Sequence, residues 1–176
     1  MGERKKYHRG RRKKKKGGII STLILIIAIA VFCVSGYQLY KIFGGYHQGK
    51  SEYDKVREVA VHGDDKDEDE FVVDFDELKK INADTVGWIR FYPEPSQISY
   101  PLVQTTDNDL YLNRTFSANE NTVGAIFVNC DNASDFSDRN TIIYGHRMKD
   151  HSMFHDLEKY EDESFWKENP YFYIYT

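Results

Sequence analysis

A single uncharged apolar segment near the amino terminus constrains this chain more than any other feature of its sequence. Residues 19–40 contain an almost unbroken apolar run from Ile19 to Val34, and Tyr37 and Tyr40 follow where interfacial aromatic residues are expected. At about 1.5 Å per residue, a helix of this length covers the roughly 30 Å hydrocarbon core of a bilayer. The sequence therefore predicts one transmembrane helix over residues 19–40, retained as a signal anchor.

The charge on the two sides of this segment predicts its orientation. Lys and Arg dominate residues 1–18, whereas the rest of the chain is acidic, so the formal net charge of −4 averages two unlike parts. Positive charge beside a spanning helix stays in the cytoplasm. We therefore expect residues 1–18 to form a cytoplasmic tail that contacts membrane lipids, and the carboxyl-terminal part to be extracellular.

Two other interpretations of this region are less favoured. A cleaved signal peptide also begins with a basic stretch and an apolar run, but Val34-Ser35-Gly36 offers only a weak cleavage site. A Lys/Arg run can also bind a phosphate backbone. Directly before a spanning helix, orientation and lipid contact explain the charge better, so no nucleic-acid partner is predicted.

Residues 41–70 predict an acidic, solvated stalk. Six of the seven residues from Asp64 to Glu70 are acidic, and such a run cannot bury apolar surface. Within the stalk we expect one short helix near residues 52–61. The folded domain is predicted over residues 71–176.

Hydrophobic spacing in this domain predicts mainly β structure with short helices. Phe75, Leu78 and Ile81 lie three residues apart, with acids before them and lysines after, which predicts a helix over residues 74–82. Segments rich in β-branched and aromatic residues predict strands at 88–92, 97–104, 124–128, 141–144 and 172–176. A helix is expected at 153–160, and helical turns within 108–116 and at 164–167.

The histidines are the first candidates for chemistry. His146 follows a strand-like segment and Gly145, where an imidazole is well placed for proton transfer, although a histidine there can also simply cap the strand. His151 and His155 have the four-residue spacing that chelates zinc on a helix, but the intervening residues lack the glutamate of a His-Glu-x-x-His site. We predict no metal site and no cofactor.

Five sequence blocks, in order, resemble class B sortases, the membrane-anchored cysteine transpeptidases of Gram-positive bacteria. The blocks are 82–89, 98–104, 107–112, 124–127, and 140–148 with 152–154, and the resemblance covers about residues 74–175. It implies a sortase-type β-barrel with short N-terminal and peripheral helices, here incomplete at the carboxyl terminus. It also implies an enzyme that cleaves a sorting signal on secreted proteins and joins them to an amine of the cell-wall precursor.

The resemblance assigns roles to particular residues. Its Tyr-Gly-His block makes His146 the general acid/base, and its Asp-Asn-x-x-Tyr-Leu block makes Asn108 and Leu112 substrate-groove residues on one helical face, although both can equally be packing residues. The family's nucleophilic cysteine and its oxyanion-stabilising arginine lie well beyond the histidine. We therefore expect the nucleophile to be absent from this sequence, and the chain as given to be inactive.

The two cysteines of the sequence do not change that expectation. Cys33 lies within the apolar segment, so the exported part has no partner with which Cys130 could form an intramolecular disulfide. The acidic neighbours Asp131 and Asp135 disfavour a thiolate at Cys130. The alternative function is a non-catalytic membrane-anchored binding or scaffolding protein that keeps half of the fold, and a zinc hydrolase is a distant third.

Overall fold

The computed structural model describes residues 17–63 and 70–176. These residues belong to two compact units with a boundary after Lys41. Nearly all of the predicted basic tail, and most of the acidic run that ends at Glu70, lie outside the described residues.

Helix α1, Gly17–Ala60, contains the predicted spanning segment. Its apolar side chains in the first unit are exposed, with Ile19 at 73% and Phe32 at 78%. The mean hydropathy of its most apolar window is 2.7, so α1 is long and apolar enough to cross a membrane, by length and composition. A helix satisfies its backbone hydrogen bonds internally, which a lipid environment requires.

The carboxyl-terminal part of α1 differs from the predicted stalk, because it belongs to the second unit and packs into its core. Tyr53, Val56 and Ala60 are 8%, 3% and 0% exposed. Their spacing of three and four residues places them on one helical face. The second unit comprises Ile42–Thr176, whereas the acidic run that ends at Glu70 had predicted a solvated stalk before Phe71.

A two-stranded ribbon and a short helix follow α1. Strands β1, Val61–His62, and β2, Val72–Val73, pair antiparallel. Helix α2, Phe75–Ile81, begins at Asp74, whose side chain accepts a hydrogen bond from the Glu77 backbone N–H at 3.0 Å. The helix predicted at residues 74–82 is confirmed.

Among the described residues, five further strands form a mixed sheet in the order β6-β5-β4-β3-β7. They are β3, Thr85–Phe91; β4, Ser99–Val103; β5, Ile126–Val128; β6, Ile143–Tyr144; and β7, Phe172–Tyr175. β4 and β5 pair parallel, and the other neighbours pair antiparallel. All five predicted strands are present, although β4, β5, β6 and β7 are shorter than expected.

The core lies against this sheet and brings its strands together with α1 and α2. Trp88, Leu102 and Ile126, from three adjacent strands, are 1%, 0% and 0% exposed. The Trp88 indole N–H donates to the Ser99 hydroxyl at 2.9 Å, so its polar atom is satisfied inside the core.

The remaining helical segments are short. A 3₁₀ helix at Leu110–Leu112 lies within the turn predicted at 108–116, and a second at His155–Glu161 takes the place of the helix predicted at 153–160. Helix α3, Glu163–Glu168, is capped by the Asp162 side chain. The first two segments border the candidate site.

Candidate functional site

His146 lies just after β6, in a segment that two contacts with Phe154 hold in place. The His146 carbonyl accepts a hydrogen bond from the Phe154 backbone N–H at 3.0 Å. Gly145 packs closely on the Phe154 ring, since a Cβ there would lie 2.6 Å from a ring carbon. The backbone that carries the imidazole is therefore fixed by the chain that follows it.

The His146 ring is half-buried and is oriented by a backbone carbonyl. Its Nε2 lies 2.6 Å from the carbonyl oxygen of Leu112. A carbonyl oxygen can only accept, so Nε2 carries the hydrogen and donates it. This bond leaves Nδ1 as the nitrogen that can exchange a proton with another group.

Gly124 makes this arrangement sterically possible. Its φ is +66°, and a Cβ at this position would lie 2.8 Å from Cδ2 of His146 and 2.9 Å from the Leu112 carbonyl oxygen. The Gly124 carbonyl accepts a hydrogen bond from the Tyr53 hydroxyl at 2.8 Å. The sequence included Gly124 in a motif block, but its role in positioning His146 depends on contacts that are distant in sequence.

The structure brings Leu112 to His146 but places Asn108 elsewhere. Leu112 ends the 3₁₀ helix and is 36% exposed. Asn108 precedes that helix, and its Oδ1 accepts a hydrogen bond from the Cys130 backbone N–H at 2.9 Å. Asn108 lies outside this helix, so the two residues do not share one helical face as we expected. A substrate role for either residue stays a prediction.

The turn between Asn108 and Leu112 is stabilised by Asp107. Its Oδ1 accepts from the backbone N–H groups of Asp109 and Leu110, both at 2.8 Å. The bonds from Leu110 and Asp109 lower the pKa of Asp107 below its ordinary value. Asp107 is therefore ionised at neutral pH and supports the segment that supplies the Leu112 carbonyl.

Cys130 is partly exposed and follows β5 in a loop that polar side chains hold in shape. The Gln104 side-chain amide donates to the carbonyls of Asn129 and Asn132 at 2.8 and 2.7 Å. Cys130 and Cys33, both within the described residues, are free thiols. In the part of the chain that the structure describes, no hydrogen bond joins Cys130 to His146, so these two residues form no catalytic pair here.

His151, His155 and Asp156 are the described residues that could hold a metal ion. Each offers one ligand atom, and the three atoms lie within 4.8 Å of one another. The two histidines are not one turn apart on an α-helix, as the sequence spacing had suggested. His151 has a φ of +65°, and His155 begins the second 3₁₀ helix, so a turn rather than an α-helix brings them together.

A cavity of about 440 Å³ lies in the same unit, between the carboxyl-terminal part of α1 and the loop after His146. Tyr53, Arg57, Tyr100 and His151 are among its lining residues, whereas neither His146 nor Leu112 lines it. Burial raises the pKa of Tyr100, whose hydroxyl accepts from the Met153 backbone N–H at 3.1 Å. This cavity is distinct from the surface around His146.

Comparison with solved structures defines the class of fold. The chain superposes on the crystal structure of sortase B from Bacillus anthracis in complex with AAEK1 with a TM-score of 0.66 and 36% identity, covering 77% of this chain and 64% of that one. A Staphylococcus aureus sortase B–substrate complex gives a TM-score of 0.54 and 35% identity over 58% of this chain and 46% of that one. The chain has a sortase-type fold.

Sequence comparison identifies the family within that fold. The chain is 35% identical to sortase B of Listeria monocytogenes over 157 residues, covering 85% of this chain and 61% of the relative. No protein-family model matches the chain. The chain belongs to the class B sortase family and spans about three fifths of the length of this relative.

Proposed function

We propose that this chain supplies the membrane anchor and the acid/base histidine of a class B sortase-type cysteine transpeptidase. Its substrates would be secreted proteins with a carboxyl-terminal sorting signal, and its acceptor an amine of the peptidoglycan precursor. The observation that carries this proposal is the fixed His146 imidazole after β6, in a chain that belongs to this family.

The geometry supports His146 as general acid/base. The 2.6 Å bond from Nε2 to the Leu112 carbonyl holds the ring in one orientation and leaves Nδ1 for proton exchange. Transpeptidation needs such a group, because the amine that departs must be protonated and the amine that enters must lose a proton. His146 is half-buried rather than enclosed, so a substrate can approach it.

The nucleophile is the second part of the proposal. Cys33 lies in the apolar segment of α1, and Cys130 makes no hydrogen bond to His146 within the described residues. A thiolate near a general acid/base is the arrangement that cysteine transpeptidation requires. We therefore propose that neither cysteine attacks the substrate, and that residues 1–176 alone do not catalyse transpeptidation.

Cleavage of a fluorogenic sorting peptide tests both parts. We expect the 176-residue chain to show no cleavage, and a chimaera extended by the remaining carboxyl-terminal part of the Listeria relative to be active. In that chimaera, His146→Ala should lower kcat/KM by about 10²–10⁴-fold, the usual contribution of general acid/base catalysis. His62→Ala changes an exposed histidine on β1 and is the matched control.

Two results would contradict the proposal. Full activity of the His146→Ala chimaera would remove the assigned acid/base. Cleavage by the unextended chain that disappears with Cys130→Ala would instead identify Cys130 as the nucleophile.

A further inference from the structure

Two histidines and a carboxylate meet in the segment that follows His146. His151 Nδ1 lies 3.5 Å from Asp156 Oδ1, and the His151 and His155 rings have centroids 4.0 Å apart. The Asp156 side chain is 6% exposed and that of His155 is 12% exposed, whereas His151 is 65% exposed. Asp156 and His155 are therefore largely buried in this cluster, and His151 is open to solvent.

The two nitrogens of His155 have different surroundings. Nε2 lies 3.2 Å from Glu158 Oε1, within ion-pair distance of that carboxylate. Nδ1 is buried and has no hydrogen-bond partner. A buried polar atom without a partner is unfavourable, and an imidazole that carries its hydrogen on Nε2 has a free lone pair on Nδ1 for a metal ion.

We propose that His151, His155 and Asp156 form a binding site for a divalent transition-metal ion of the Zn²⁺ type, with Glu158 positioning His155. Imidazole ligands favour such ions over Mg²⁺ and Ca²⁺, which prefer oxygen. The orphaned Nδ1 of His155 becomes a ligand, and Glu158 is the carboxylate that usually orients a ligating histidine through its other nitrogen. This proposal replaces the sequence-based expectation that the chain binds no metal.

The distances suit this ion. Zinc lies about 2.0–2.2 Å from nitrogen and oxygen ligands, so neighbouring ligand atoms in a tetrahedral site are about 3.3–3.5 Å apart. The 3.5 Å between His151 Nδ1 and Asp156 Oδ1 already matches this separation. All three ligand atoms lie within 4.8 Å of one another, and a tetrahedral ion held by three ligands keeps its fourth position open.

Lys159 is the charged neighbour that opposes cation binding. Its Nζ lies 2.9 Å from Asp156 Oδ2, which leaves Oδ1 facing His151. Burial raises the pKa of Asp156, but the bonds and charges of Lys159 and His151 together outweigh burial, and the pKa stays below its ordinary value. The ammonium group of Lys159 also weakens the attraction of the site for a cation.

Zinc titration of the full chain in detergent micelles tests the site, followed by calorimetry with ZnCl₂ and by the visible absorption of bound Co²⁺. We expect saturable binding of about one ion per chain. His151→Ala, which removes an exposed ligand, and Glu158→Ala, which removes the positioning carboxylate, should each weaken binding about 10–100-fold. Lys159→Met removes the opposing ammonium group and should tighten it.

His47→Ala, at an exposed histidine of α1, is the matched control and should bind as the wild type does. Circular dichroism of each variant separates loss of a ligand from loss of the fold. The absence of saturable zinc binding in the folded wild type would overturn the proposal, as would unchanged affinity in His151→Ala. Neither outcome depends on transpeptidase activity, so failure here is distinguishable from failure of the proposed function.

Discussion

Gly124 contacts both the core and the candidate site. Its missing side chain leaves room for the His146 ring and the Leu112 carbonyl, and its own carbonyl accepts from Tyr53. A single position thus sets how closely α1, the 3₁₀ helix and the histidine segment approach one another. The orientation of His146 depends on backbone geometry as much as on neighbouring side chains.

Gly124→Ala should therefore disturb both stability and the histidine. A residue with a side chain is strained at a φ of +66°, and its Cβ would meet His146 at 2.8 Å. We expect the free energy of unfolding to fall by about 1–3 kcal/mol, measured by denaturant titration. The His146 imidazole resonances should shift in NMR spectra.

Gly44→Ala is the matched control, since a Cβ at that helical position meets nothing within 4 Å. It should be neutral or slightly stabilising, because alanine favours helix more than glycine does. Equal behaviour of the two variants would contradict the role assigned to Gly124.

Tyr53→Phe tests whether the carboxyl-terminal part of α1 belongs to the folded unit. The hydroxyl donates to the Gly124 carbonyl at 2.8 Å and accepts from the Phe116 backbone N–H at 3.1 Å. Its removal leaves two buried backbone groups without this partner, so the free energy of unfolding should fall by about 1–3 kcal/mol. A solvated stalk would show no change in the same denaturant titration.

The pH dependence of stability gives a second measurement on Tyr53. Burial raises the pKa of Tyr53 well above its ordinary value, and the bond from Phe116 offsets only part of that effect. The folded state therefore favours the neutral phenol. This contribution to stability is complete below about pH 10 and is lost as pH rises from there toward the folded-state pKa. Tyr53→Phe should reduce the alkaline loss of stability relative to the wild type.

At the scale of elements, the sequence predicts the helices and strands that are stabilised by residues close together along the chain. Helix α2 was predictable because Asp74, Leu78 and the flanking charges all act within two turns. The buried face of α1 was not predicted, because Tyr53 and Val56 lie among charged residues in the sequence. Only packing against the core of the second unit buries them. The position of His146 just after a strand was predicted from the sequence, whereas its bond to a carbonyl 34 residues away was not.

Asp74→Ala measures how much the cap contributes to α2. The Asp74 side chain satisfies the Glu77 backbone N–H, and its own N–H donates to the Ala60 carbonyl at 2.7 Å. Loss of the side-chain cap should lower the free energy of unfolding by about 0.5–2 kcal/mol in denaturant titration. Asp76→Ala removes an exposed acid from the same turn without removing the cap. A loss as large in Asp76→Ala would indicate a charge effect instead.

At the scale of the whole molecule, we propose one orientation in the membrane from the distribution of charged and apolar residues along the sequence. The span in α1 separates the basic residues 1–18 from a predominantly acidic remainder. Positive charge next to a span is retained in the cytoplasm. The unit that carries His146 would then face the outside, where secreted proteins and wall precursors meet.

Labelling with a membrane-impermeant maleimide on intact cells tests this topology. Ser134→Cys, in a chain that also carries Cys130→Ser, puts one thiol at an exposed loop position and leaves Cys33 in the span. We expect this chain to be labelled, and Cys130→Ser alone to stay unlabelled because lipid shields Cys33. Gly2→Cys, in the same Cys130→Ser background, should react only after the cells are permeabilised. Labelling of Gly2→Cys in intact cells, with Ser134→Cys protected, would reverse the orientation and exclude a function for His146 at the outer surface.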